Sequence, residues 1–175
     1  DHGGSTRLVV TDKAAFLLDA KNYKVKRFDR GRTKNIWAAM TTKPKSFGVR
    51  GVGNGKFSKP VDLAVLASGN IAVLDQASAA IQVFSEQGIF LYSVGMQGGS
   101  KGQMKKPVAL ASSPNGPLYC LDSGRRVILE FRNGKFFKEF SVAAQGEVTG
   151  MALDPFNNVI GVTDLGGRTL VRVNP

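Results

Sequence analysis

Histidine and cysteine are nearly missing from this 175-residue chain, with one of each. The lone histidine, His2, lies in the small polar opening DHGGST, which reads as frayed. No second histidine is available to build a His-rich metal site, and no serine has a histidine to take its proton. Cys120 cannot form an internal disulfide. Within the apolar run LYCLD it reads as a small core residue, not a reactive thiol. A lone thiol favours a reducing, cytoplasmic setting. No apolar run approaches the ~20 residues of a membrane helix, so no membrane partner is expected. No Gly-Lys-Ser phosphate loop is present, and no cofactor is expected. The chain does not open on methionine, and the expectation is a chain processed or cut from something longer.

Acids are scarce too. Thirteen Asp and Glu stand against 24 Lys and Arg, for a net charge of +11 and an isoelectric point near 10.0. Such a surface points toward a polyanion: nucleic acid, an anionic surface or an acidic protein.

What the chain has instead is repetition. In VDLAVLASGNIAVLDQASAAIQVF, residues 61–84, two apolar runs close on Asp75 and an aromatic, Phe84, follows nine residues later. Asp19 and Phe28, Asp122 and Phe131, and Asp164 and Val173 share that spacing. Val25, Ile81, Ile128 and Leu170 stand six residues past each Asp, and Pro60 and Pro107 stand 15 before Asp75 and Asp122. A repeat with four short strands and tight turns per unit predicts an all-β propeller, one blade per unit. The predicted blades span approximately 7–40, 57–95, 107–142 and 149–175, the last incomplete. Blade 1 takes LVV, AAFLLD, KVKRF and NIWAAM as its strands, which puts Trp37 in an outermost strand. Residues 41–60 and 95–107 read as glycine-rich connections.

The segment FGVRGVGNGKFSKPVDLAVLASGNIAVLDQASAAIQVFSEQGIFLYSVG resembles an NHL repeat. It has a glycine-rich lead-in, an aromatic before Pro60, a small-Gly-Asn turn, an Asp ending the second strand and a hydrophobic-x-V-F third strand. KGQMKKPVAL opens the next unit in the same style. The usual motif's histidine is absent. The resemblance implies an NHL-type β-propeller of four-stranded blades, similar to the C-terminal domain of tripartite-motif (TRIM) proteins. About four blades are present, so a partial ring, or one completed by a second copy, is expected. It also implies a face that binds RNA or protein, in a parent that carries ubiquitin-ligase activity in a separate RING domain. The peptide-amidating lyases share the motif but bind a metal through histidines, which argues against that activity.

In a propeller, the loops between second and third strands share one end with the connections between blades. The predicted loops place thirteen basic residues there: Lys21, Lys24, Lys43, Lys45, Arg50, Lys56, Lys59, Lys101, Lys105, Lys106, Arg125, Arg126 and Arg168, against Glu147 alone. The opposite turns are mixed in sign. Phosphate contacts and aromatic faces for stacking suit single-stranded or structured RNA, with Tyr23 the best platform, Phe47 a further candidate, and Phe57 a lesser one that is expected to pack under its loop. The repeated Asp19, Asp75, Asp122 and Asp164 are expected to accept amides of their own turns, not to bind metal. Phe28, Phe84 and Phe131 are expected to pack between blades. The expected function is non-enzymatic RNA recognition within a TRIM-like ligase or post-transcriptional regulator. The alternative is a scaffold that recruits an acidic protein or a ubiquitination substrate. Carboxylate chemistry in the central channel is a third reading.

Overall fold

The computed structural model describes residues 6–31, 35–41, 43–144, 146–154, 159–164 and 170–173. The fold is all-β and built from successive antiparallel sheets. Blade 1 holds β1 (Thr6–Val10), β2 (Ala14–Asp19), β3 (Lys24–Asp29) and β4 (Lys45–Phe47). A two-stranded parallel pair, β5 (Val49–Arg50) with β6 (Lys56–Phe57), forms the connection. Blade 2 holds β7 (Pro60–Val65), β8 (Ile71–Asp75), β9 (Ala80–Phe84) and β10 (Phe90–Val94). Blade 3 holds β11 (Pro107–Ser112), β12 (Leu118–Asp122), β13 (Val127–Arg132) and β14 (Lys135–Ser141). β15 (Val148–Asp154), β16 (Val159–Asp164) and β17 (Leu170–Val173) make the described part of blade 4. The inner strands lie side by side, β1 on β7, β7 on β11 and β11 on β15.

Apolar side chains on facing sheets join the blades. Phe16, Leu18 and Val25 of blade 1 meet Leu63, Ile71, Val73 and Phe84 of blade 2 in one cluster. Phe84 is buried with Phe47, Phe57 and Phe90 around it, at ring-centroid distances of 4.9, 5.7 and 5.9 Å. Phe131 plays the same part between blades 2 and 3, where Cys120 is fully buried. Burial pushes the Cys120 thiol well above its ordinary pKa, so it stays protonated and packs as a small apolar group.

The repeated aspartates of blades 2 and 3 fix how those blades close. Asp75 pairs across the sheet with Pro60, and Asp122 with Pro107, each followed by a bulge in the inner strand. The Asp75 carboxylate accepts the amides of Ser58 (2.6 Å), Lys59 (3.0 Å) and Ser78 (3.1 Å). Asp122 accepts those of Lys105, Lys106 (3.0 Å), Gly124 (2.8 Å) and Arg125 (3.1 Å). One carboxylate thus holds both the chain entering its blade and the turn leaving β8 or β12. Each of these turns ends in a left-handed residue, Ala79 (φ 49°) and Arg126 (φ 53°), as does the corresponding turn of blade 1 at Tyr23 (φ 57°). Asp19 serves that turn through Asn22, accepting from both its backbone amide and its side chain, and also binds Lys26 at 2.6 Å. Those contacts hold its carboxyl below the usual range.

Asp62 joins three blades. Its carboxylate meets Arg7 of β1 (3.0 Å) and accepts the amides of Leu63 on its own strand and Leu110 on β11, both at 2.8 Å. It is buried, and desolvation raises its pKa from the ordinary 3.8, with those partners working in the opposite direction.

Blade 1 departs from the predicted pattern. The stretch around NIWAAM is not a strand: Ile36–Met40 forms a short helix, α1, and the fourth strand is Lys45–Phe47. Asn35 supplies the reason, since its side-chain oxygen accepts the Trp37 amide at 2.9 Å as a helix cap does, and Ala38, Ala39 and Met40 are strong helix formers. The helix lies against β2 and β3. On the side of that sheet away from blade 2, Ala15 and Phe28 are buried. Phe28 therefore does not pack between described blades as Phe84 and Phe131 do. Trp37 stands 72% exposed, on a helix and not on an outer strand.

Two predictions follow from the carboxylates. Asp75→Ala strands three amides and should cost about 3 kcal/mol in urea unfolding. Asp75→Asn, which keeps an acceptor, should cost less. Asp62 binds its proton more tightly folded than unfolded, so its contribution to stability falls as pH rises from about 3.8 through the raised folded value. The stability of the parent minus that of Asp62→Asn should therefore decline over that window in pH-resolved denaturation. A flat difference would mean that the folded pKa is not raised.

Candidate polyanion-binding face

The turns after β2, β8 and β12 and the connections 48–59 and 95–106 share one end of the blades, because each Asp pairs with the first residue of its inner strand. Lys21 lies exposed in the short 3-10 turn Ala20–Asn22, and Lys24 is exposed at the start of β3. Between them Tyr23 takes its left-handed conformation, with the Arg50 guanidinium 5.4 Å from its ring centroid. Arg50, Lys56 and Lys59 are exposed on the first connection, and Lys101, Lys105 and Lys106 on the second. Arg168 lies outside the described residues, as does His2.

Two of the thirteen predicted cations belong at the other end. Lys45 pairs with Arg27 at the far end of β3 and reaches Asp29 at 3.3 Å. Lys43, two residues earlier, lies on the same stretch between α1 and β4. The sequence pattern placed both on the basic face because it ended blade 1 at Met40. With β4 at Lys45–Phe47, the third strand leaves and the fourth begins at the opposite end, at Asp29 and Lys45.

Other cations on this face are already engaged. Arg125 is mostly buried and binds Glu139 through two bonds of 2.9 Å each, while its Nη1 also donates to the Gln103 carbonyl at 2.8 Å. The Arg125 bond holds the Glu139 carboxyl below its ordinary 4.5. Glu139 also accepts the Gly102 amide at 3.1 Å, so this pair braces the connection 95–106. Lys106 pairs with Glu147, and Arg126 donates to the Ala144 carbonyl at 3.2 Å. By contrast, Lys21, Lys24, Arg50, Lys56, Lys59, Lys101 and Lys105 form no salt bridge among the described residues. At the opposite end Asp29 takes both Arg27 (2.7 Å) and Lys45, Lys13 reaches Glu86 at 3.7 Å, and Arg132 pairs with the buried Glu130.

The aromatic candidates separate in the same way. Phe57 is fully buried and Phe47 packs on Phe84, so neither offers a ring to a ligand. Tyr23 alone of the three sits at the surface turn. Val49, Val52 and Met96 are exposed apolar side chains among the cations. Asp19, Asp75 and Asp122 lie at this end too, but backbone amides and neighbouring side chains occupy their carboxylates.

Sequence reasoning missed Glu139, which lies on a strand and not in a loop. It also missed Gln82, a buried polar residue on β9 that grips the first connection, accepting the Gly55 amide (2.8 Å) and donating to the Lys56 carbonyl (2.6 Å). The repeat carried the signal: Leu129 stands in the slot of Gln82, seven residues past its own Asp.

No protein-family model and no curated protein matches the chain. Solved structures do. A streptogramin B lyase aligns at TM-score 0.65 and 17% identity, covering 98% of this chain and 55% of that one. A catalytically inactive virginiamycin B lyase from Staphylococcus aureus, solved with quinupristin, aligns at TM-score 0.62 and 15% identity over 100% and 58%. The WD40 repeats of RRP9 align at TM-score 0.63 and 16% identity over 98% and 52%. The chain thus spans about half the length of the structures it matches. Together with the four repeated sheets, these likenesses show the fold: the chain is built from β-propeller blades.

Proposed function

We propose that this propeller segment is a non-enzymatic recognition module that binds RNA through the end carrying Lys21, Lys24, Arg50, Lys56, Lys59, Lys101 and Lys105. The observation that carries the reading is the contrast in pairing. Most cations at the opposite end are in salt bridges with carboxylates, whereas these seven form none among the described residues. Unpaired lysines on ordered loops attract phosphate without first breaking an ion pair. Tyr23 with Arg50 over its ring adds a planar surface on which a base can stack. The NHL resemblance supports the same choice and adds a context, a module that selects targets for a TRIM-like ubiquitin ligase or a translational repressor.

A second reading rests on the exposed Val49, Val52 and Met96 set among the lysines, which suit an acidic protein with apolar side chains. The two readings separate in one titration. Single-stranded RNA binding should weaken linearly in log–log form with salt, by about 0.7 per phosphate contacted. Arg50→Ala with Lys56→Ala should flatten that slope, while Lys43→Ala with Lys45→Ala, at the far end, should leave it unchanged. Retention of one acidic protein and no RNA would favour the second reading.

We further propose that the remaining blades of a closed ring come from another part of the protein or from a second copy of the chain, since unpaired sheet faces are otherwise left bare. Light scattering of the isolated 175-residue chain should then show self-association or poor folding; a folded monomer of 18.7 kDa would refute this.

A further inference from the structure

The connection between blades 1 and 2 is built more tightly than a linker needs. Gln82 holds it at Gly55 and Lys56, Asp75 holds it at Ser58 and Lys59, and the Gly51 amide donates to the Phe57 carbonyl at 2.9 Å. Between these anchors the backbone alternates in the sign of φ. Gly51, Gly53 and Gly55 sit at +148°, +101° and +73°, and Val52 and Asn54 between them at negative φ. A negative-then-positive φ pair such as Val52-Gly53 is the pattern in which successive amides can face one anion. The amides of Val52, Gly53 and Asn54 donate to no acceptor among the described residues.

A cation is placed against the same loop. A Cβ at Gly51 would lie 3.0 Å from Cδ of Lys56 and 3.6 Å from its Cβ, so the lysine stem runs along the loop backbone, in space that only glycine leaves open. Arg50 adjoins on the other side, at the end of β5. Gln82 fixes the backbone from which Lys56 projects, and no other described blade has a glutamine in that slot: Lys26, Leu129 and Val171 stand there instead.

From this geometry we propose that residues 51–56 form a phosphate cradle. The amides of 52–54 and the Lys56 ammonium take the phosphate oxygens, and Gln82 is a positioning residue that holds the loop in register. This rests on the RNA reading above and names the phosphate subsite of that face. Other sources of the same group, a free phosphate or a nucleotide, share its chemistry.

The test follows the backbone amides of the intact chain by NMR in two titrations, one with inorganic phosphate and one with a single-stranded oligonucleotide. Both should shift Val52, Gly53 and Asn54, and phosphate should compete with the RNA. Gly53→Ala strains the loop through its φ alone, since a Cβ there meets nothing within 4 Å. It should weaken RNA binding about fivefold, the equivalent of one hydrogen bond. Gln82→Leu, which copies the residue of blade 3, should do the same and reduce the Lys56 contribution to the salt slope while the core amides keep their shifts. RNA bound at full affinity with residues 52–54 silent, or Gly53→Ala without effect, would overturn the cradle and leave the basic-face reading standing. Shifts with inorganic phosphate but no RNA binding would support the cradle and overturn the RNA reading.

Discussion

In blades 2 and 3 one carboxylate, hydrogen-bonded to amides on two sides, is the contact on which the rest of the structure depends. Asp75 and Asp122 each stand opposite the first residue of the inner strand and draw in the chain that leads to it. They also close the turn that leaves their own strand. Hydrogen bonds from amides to an ionised acceptor are the strong kind, and several on one group fix direction as well as distance. Because the same side chain sets both the incoming connection and the outgoing turn, the basic loops at this end are tied to the core strands. The backbone that carries those side chains is held in place by the same bonds.

Between blades the work passes to apolar surface, with one exception. The Phe84 and Phe131 clusters join neighbouring sheets by burial and set no precise register. Asp62 supplies a register where blades 1, 2 and 3 meet, because its carboxylate reaches an arginine on one inner strand and an amide on another. Its raised pKa shows the cost: burial opposes the charge more than Arg7 and the two amides favour it. Ala109 stands in its slot in blade 3, so this device belongs to one blade and not to the repeat.

The blades were legible in the sequence because the Asp-to-aromatic spacing comes from strand length and turn size, which the fold must repeat. The pairing of Pro60 with Asp75, 15 residues apart, is that spacing seen across the sheet. The failures came where the repeat breaks. Spacing has no means of seeing that Asn35 caps a helix, or that the sheet of blade 1 waits until Lys45 for its last strand. That one misplaced strand carried Lys43 and Lys45 to the wrong end. Counting charge also hid Glu139, since a strand residue was not tallied with the loops its side chain reaches. Topology was readable from periodicity, while the site depended on side-chain partners that periodicity does not encode.

Net charge therefore says less about this face than pairing does. The chain carries +11, yet part of its positive surface is spent internally: Arg125 braces a connection, Lys26 holds Asp19, and Arg27 and Lys45 share Asp29. A cation beside a carboxylate gives a phosphate little, because binding there exchanges one ion pair for another. The cations that can add affinity are those whose backbone is fixed but whose charge is not. Lys56 meets both conditions, with Gln82 under its main chain and no carboxylate paired with its ammonium among the described residues. For the RNA reading proposed above, the distinction between rigid loops and uncommitted charge matters more than the total charge.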